Sequence, residues 1–259
     1  MATKYPLILV HGIMLKDWKF VKAFGNIQNI LTEQGYIVST APTDGFGSIE
    51  TNASQLKDYV LQVLKETGQY KVNLICHSKG GLDARYMIQT LDMADKVASV
   101  TFLCTPHKGS QIATKLYALP KPLRGLIAWW LTLWYRIFGD QHPEVLKVCY
   151  QLSYTPEGVL KDFDHHDGIF MQSYATTMEK CKDDFVMGIP LYFSRRFEDS
   201  PSDGLVSVES AKFGEYQGIC TDASVSHSEI VDFMAGKKKR EKIYAFYLTL
   251  CEDLAKRDL

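Results

Sequence analysis

Strong charge of either sign is missing from this chain: 29 Lys and Arg stand against 30 Asp and Glu, and the formal net charge is −1. Without a basic block there is no electrostatic footprint for nucleic acid, which excludes that class of partner. Lys237-Lys238-Lys239-Arg240 is the one cationic cluster, and it precedes Glu241 and an amphipathic pattern, so it reads as the solvated start of a helix. Cysteine pairs are missing too. The six cysteines are scattered, with no C-x-x-C and no zinc spacing, and 259 residues need no disulfide staples. No apolar run is long enough to cross a bilayer as a helix. Met1 to Pro6 leads into an apolar strand at Leu7 without the basic and long apolar segments of a secretory signal. The expected compartment is the cytoplasm, or the exterior if a signal has been removed. Repeats, low-complexity tracts and interdomain linkers are likewise lacking. What remains, 46% apolar and 23% charged, suits one well-filled domain over residues 1–259.

Apolar runs and helical periodicity alternate through the first half. Leu7 to Val10 reads as a strand buried on both faces, followed by a turn at His11-Gly12-Ile13-Met14. From Asp17, Trp18, Val21, Phe24, Ile27, Ile30 and Leu31 recur at helical spacing up to Gly35. Tyr36 to Val38 suggests a strand, and Ile49 to Thr67 a helix ended by Gly68. Val72 to Cys76 and Val97 to Leu103 complete the strands of this half. Such alternation predicts an α/β fold, with a mostly parallel central sheet, helices on both faces and ligands beyond the carboxyl ends of the strands. Residues of about 109–184 lose the alternation and are expected to form a helical cap or lid insertion. The sheet pattern is expected to resume at Ile189 to Phe193 and at Leu205-Val206, and a final helix from Glu241 to Leu254 packs on the sheet.

The stretch from Lys71 to Tyr86 organises the rest. An apolar run ends abruptly in Cys76-His77-Ser78-Lys79-Gly80-Gly81 and restarts with helical spacing, which reads as strand, tight turn, helix. One reading is an ordinary connection with Ser78 as N-cap. The other makes Ser78 a nucleophile at the apex of a strained elbow, where small residues two positions either side let strand and helix approach. Gly80 meets that need, whereas Cys76 stands where the G-x-S-x-G pattern has glycine. A serine nucleophile also needs a base, an orienting carboxylate and N–H donors for an oxyanion. Ser78, Asp203 and His227 occur in the chain order nucleophile, acid, histidine, with the last two in late loops.

Together these residues resemble the bacterial triacylglycerol lipases of the Pseudomonas and Burkholderia type, members of the α/β-hydrolase superfamily, and more closely their clostridial relatives. The resemblance rests on Tyr5 to Gly12, Val72 to Ile75 with His77-Ser78 and Gly80-Gly81, Arg85-Tyr86, Pro106 to Ser110, and Asp203 to Val206. It implies Ser78 as nucleophile, His227 as general base and Asp203 as its orienting acid, with the backbone N–H groups of Ile13 and Lys79 as the oxyanion hole. His11 is expected to shape the oxyanion loop. The resemblance also implies a calcium site with an aspartate two residues after the histidine. Glu229 holds that place here, so no metal and no cofactor are expected, though Asp199 and Glu229 could form a different calcium site.

The dense run Leu126 to Phe138 is either a buried core helix or a cover that hides an apolar face when closed and offers it to lipid when open. Trp129, Trp130, Leu133 and Trp134, together with Ile137 and Phe138, are the candidate substrate-binding and lipid-interface residues. The expected activity is hydrolysis of lipid carboxylic esters through an acyl-enzyme on Ser78. The alternatives are a short-chain soluble esterase or acyltransferase, or a catalytically silent binding protein of the same fold.

Overall fold

The computed structural model describes residues 2–13, 17, 22–137, 139–160, 166–197 and 199–259. Six strands form one sheet: β1 (Leu7–Val10), β2 (Val38–Thr40), β3 (Val72–His77), β4 (Val97–Leu103), β5 (Phe170–Ala175) and β6 (Glu215–Ile219). Their spatial order is β2-β1-β3-β4-β5-β6, and every neighbouring pair is parallel. Parallel strands need crossover connections: α2 (Ile49–Thr67) carries the chain from β2 past β1 to β3, and α3 (Lys79–Thr90) joins the neighbours β3 and β4.

Period-two alternation sends successive strand residues to opposite faces of the sheet. Ile8, Val10, Leu74, Cys76, Val100 and Phe102 share one apolar cluster with Leu56 and Val60 of α2 and Met87 and Ile88 of α3. Leu7, Leu9, Ile75 and Leu103 face the other cluster, with Ile27 and Leu31 of α1 (Ile27–Glu33) and Ile243, Tyr247 and Leu250 of α9 (Lys237–Lys256). Among the described residues no helix is long and apolar enough to cross a membrane.

Several elements depart from the sequence-based expectations. The first helix begins only at Ile27, because Gly25 takes a left-handed φ of 46° and lies against the Asp232 carboxylate; Trp18 and Val21 fall outside the described residues. The second strand runs Val38–Thr40 rather than Tyr36 to Val38. Phe170–Ala175, inside the stretch expected to form the insertion, is a strand of the sheet. The elements between β4 and β5 are α4 (Gln111–Tyr117), α5 (Lys121–Ile137) and α6 (Val145–Gln151). Ile189 to Phe193, expected as a strand, belongs to α7 (Gly188–Phe197). Pro190 is tolerated there because the first turn of a helix leaves N–H groups without intrahelical partners. Leu205-Val206 is a turn leading into α8 (Val208–Ala211), not a strand.

The N-terminus of α3 carries an unusual burden. Lys79 and Asp83, one turn apart, are 1% and 0% exposed, and Lys79 Nζ donates to both Asp83 oxygens at 2.7 and 2.9 Å. Asn52 of α2 donates to the same carboxylate and to the Asp44 carbonyl. Burial pulls the Lys79 ammonium down and pushes the Asp83 carboxyl up to about 6, while the pair's attraction opposes both shifts. Removing one partner strands the other in a dry interior. Asp83→Asn is therefore expected to lose about 3–5 kcal/mol in urea unfolding, and Lys79→Met with Asp83→Leu much less. Equal losses in the single and double variants would show that packing, not charge pairing, holds this end of α3.

Candidate active site

Ser78 sits between β3 and α3 with φ 54° and ψ −131°, a backbone conformation that L residues adopt only under constraint. Its N–H donates to the Leu103 carbonyl at 2.9 Å, which fixes the turn to the end of β4. Close approach makes the turn possible. A Cβ on Gly80 would lie 2.6 Å from the His11 carbonyl oxygen, and one on Gly12 would lie 2.5 Å from Ser78 Cβ. Cys76 causes no such crowding, because it points into the apolar cluster beneath the sheet, where burial pushes its thiol well up. It therefore remains a protonated core residue.

The structure brings Ser78, His227 and Asp203 together. Ser78 Oγ and His227 Nε2 are 2.8 Å apart, and His227 Nδ1 lies 2.7 Å from Asp203 Oδ2. The other Asp203 oxygen accepts the N–H groups of Leu205 and Val206 at 3.0 and 2.8 Å, so the turn that carries the acid also orients it. Two other late aspartates have separate partners. Asp222 pairs with Lys242, and Asp232 binds Arg240 and Tyr244. In this arrangement His227 Nε2 is placed to accept the Ser78 hydroxyl proton while Nδ1–H donates to Asp203, the geometry that a serine nucleophile requires.

His77 has a part that sequence reasoning missed. Burial, with the adjoining His227 ring, holds its imidazole well below the ordinary value, so it stays neutral. Its Nε2–H donates to the His227 carbonyl at 2.9 Å, and His227 N–H donates to the Asp203 carbonyl at 3.0 Å. Both backbone groups of His227 are thereby pinned. The residue's place directly before Ser78 was the available signal.

Lys79 N–H lies at the positive end of α3, and Ile13 follows Gly12 where that glycine touches Ser78. Of the two residues expected to donate to an oxyanion, one is thus adjacent to Ser78 and the other to Gly12, which packs on it. His11 braces their loop: Nδ1–H donates to the Gly12 carbonyl at 2.9 Å, and Nε2 accepts from Thr43 Oγ1 at 3.1 Å. Burial lowers the affinity of His11 for a second proton, which suits bracing rather than proton transfer.

Ser78 is 4% exposed, so the site is covered. Ile13 belongs to an apolar cluster with Ala128, Leu131 and Tyr135 on the inner stripe of α5. Trp129, Trp130, Leu133 and Trp134 point the other way and are 59%, 57%, 43% and 54% exposed, as is Ile137 at 67%. The helix is therefore neither buried in the core nor a cover that hides its aromatic face when closed. Phe138 lies outside the described residues. Beyond the end of α5 two loops clasp each other. The Asp140 carboxylate accepts the N–H groups of Gly45 and Phe46, and the Asp44 carboxylate accepts those of Gln141 and His142, all at 2.8 to 2.9 Å.

Glu229, one of the two candidate calcium ligands, is already engaged. Its oxygens accept Lys239 Nζ at 2.8 and 2.7 Å, and one of them also accepts Ser226 N–H at 3.0 Å. An ammonium fills the place a dication would take, so the residues here do not fit the calcium site that the resemblance implied.

A family model described as palmitoyl protein thioesterase matches residues 6–154. Triacylglycerol lipase 2 of Saccharomyces cerevisiae is 29% identical over 259 residues, covering 89% of this chain and 72% of that protein. The triacylglycerol lipase of Burkholderia plantarii is 46% identical over 118 residues, 43% of this chain and 32% of the relative, so the chain spans about a third of that protein's length. A metagenomic carboxyl esterase superposes with a TM-score of 0.72 at 16% identity, over 99% of this chain and 77% of that one. The likeness to lipases of the Burkholderia type is thus borne out, and the parallel sheet with its flanking helices is the α/β-hydrolase fold. The chain is a hydrolase of that fold and belongs to the palmitoyl protein thioesterase family.

Proposed function

We propose that this chain hydrolyses carboxylic esters of apolar acids through an acyl-enzyme on Ser78. The observation that carries the reading is the unbroken path Ser78 Oγ, His227, Asp203, with links of 2.8 and 2.7 Å, at a strained elbow. Ser78 Oγ attacks the ester carbonyl as its proton passes to His227 Nε2. The N–H groups of Ile13 and Lys79 receive the developing oxyanion. His227 then returns the proton to the departing alcohol, leaving the acyl group on Ser78. Water enters, gives a proton to His227 and attacks the acyl carbonyl, and Ser78 leaves with that proton as the acid is released. No metal or cofactor takes part in this scheme. Six free cysteines support a reducing, cytoplasmic compartment.

The substrate reading is a lipid ester, supported by relatives named triacylglycerol lipases and by the outer face of α5. Leu123, Leu126, Trp129, Trp130, Leu133 and Trp134 present an exposed apolar surface suited to transient contact with a lipid–water interface. With the inner stripe of α5 over Ile13, substrate entry requires this helix to move, so α5 is the proposed lid. Acyl thioesters are a second reading, favoured by the matching thioesterase model, since a thiolate leaves the same tetrahedral intermediate readily. Short-chain esterase, acyltransferase and silent binding protein are the outcomes these tests would otherwise reveal.

Ser78→Ala is expected to abolish turnover of p-nitrophenyl esters and labelling by a fluorophosphonate, with the circular dichroism spectrum unchanged. A parent protein that is folded yet unlabelled would make it a silent binding protein. Asp203→Asn is expected to lose on the order of a thousandfold in kcat, because the wrong histidine tautomer is favoured; loss on Asp199→Asn or Asp222→Asn instead would move the acid elsewhere. For substrate, rates are measured over an acyl chain-length series of oxygen esters and thioesters, below and above the solubility limit. The parent should prefer medium or long chains and rise about tenfold at the aggregate threshold, and Trp130→Ser with Trp134→Ser should lose that rise. Preference for acetate with no rise would leave a soluble esterase.

A further inference from the structure

We propose that the Lys239 ammonium is a fixed internal cation that positions His227, acting through Glu229. The proposal rests on the reading of His227 as general base. Glu229 lies two residues beyond His227 with its side chain 6% exposed, a place where an unpaired carboxylate is costly. Lys239 Nζ donates to both of its oxygens and, at 3.0 Å, to the Asp183 carbonyl. Glu229 passes the constraint back toward the histidine by accepting Ser226 N–H at 3.0 Å, while its own N–H donates to Ser226 Oγ at 3.2 Å. The hydroxyls of Ser226 and Ser228, on either side of His227, both donate to one oxygen of Asp184. The loop is therefore tied to residues 183–184 and, through Lys239, to α9.

Helix α9 is a firm anchor, since Ile243, Tyr247 and Leu250 lie in the apolar cluster with Leu7, Leu9 and Leu103, on the face of the sheet opposite Cys76. Lys239 belongs to its first turn. Without the ammonium, Glu229 would turn toward water and carry the Ser226 and Glu229 backbone with it. His227 sits between those contacts, and its 2.8 Å approach to Ser78 depends on them. Lys239 touches no reacting atom, so it is a positioning residue. The sequence pattern that marked residues 237–240 as a solvated helix start missed it, because the side chain that turns inward is indistinguishable from its neighbours.

A cleft of about 500 Å³ beside this contact is lined by Asp183, Asp184, Ser228, Glu229 and Lys237 to Lys239, among others. It is wide enough to admit a small ammonium ion, which supplies the test. Lys239→Ala is assayed with a soluble p-nitrophenyl ester, alone and with methylammonium or propylammonium chloride at constant ionic strength. The expected result is a fall in kcat of roughly 30- to 100-fold, the scale of a 1 Å misplacement, with KM changed less than about twofold. The fluorophosphonate labelling rate should fall in parallel, alkylammonium should restore part of both while sodium does not, and Lys239→Arg should keep most of the activity. Chelation by EDTA should leave the parent unchanged. If Lys239→Ala does not fold, Glu229→Gln with Lys239→Met removes the bridge without stranding a charge and should show the same fall in kcat. Parent-like kcat and labelling in the folded variant, loss that no alkylammonium restores, or loss of parental activity in EDTA would overturn the proposal. A parent that fails to react with the fluorophosphonate would instead sink the hydrolase reading itself.

Discussion

The backbone of Ser78 is the constraint on which the site depends. A serine at φ 54° and ψ −131° is held there by the Leu103 carbonyl on one side and by the approach of the β1 end on the other. Each support comes from a strand neighbouring β3, so the central sheet must be assembled before the hydroxyl can project. This explains why glycine is needed at 12 and 80, where any side chain would meet Ser78 or the carbonyls of Val10 and His11. It also explains why Cys76 is acceptable at the remaining position. That residue faces the core beneath the sheet, where volume rather than closeness to backbone decides what fits.

Around the strained serine the chain uses redundancy rather than one strong contact. Asp203 holds His227 through its carboxylate and its carbonyl, and His77 holds the same residue from the opposite side. Neutral partners dominate this inner ring: His77 and His11 are both kept unprotonated by burial. A charged imidazole in either place would repel the positive charge that His227 gains on accepting a proton. The buried Lys79–Asp83 pair is an exception, and the two charges cancel within one helical turn.

The chemistry was more legible in the sequence than the architecture of the second half. Ser78, Asp203 and His227 stood out because small residues, a tight turn and a fixed chain order leave few alternatives. β5 did not stand out because its centre is polar. Gln172 and Ser173 are buried yet satisfied by Thr101 and by Phe213 N–H, contacts that no local pattern reveals. The stretch 189–193 misled for the opposite reason. Its apolar residues fit a strand, whereas Leu191 and Ser194 at helical spacing bury one side and leave Ile189, Tyr192 and Phe193 exposed. The aromatic run in α5 was recognised, but its direction was not. Which face a helix turns inward depends on what lies below, and here Ile13 and Leu82 meet the stripe of Ala128, Leu131 and Tyr135.

The reciprocal clasp of Asp44 and Asp140 gives the covering helix a mechanical character. Four backbone amides fastened by two carboxylates make residues 140–142 a stiff fulcrum, while α5 itself is 17 residues long. A helix of that length is a lever of about 25 Å, and a tilt of about 10° at the clasp sweeps its far end through roughly 4 Å. The beginning of α5 then travels farthest and the Tyr135 end hardly at all. Opening of this kind would resemble a hinged flap more than a lifted cap, and would widen from the α4 side.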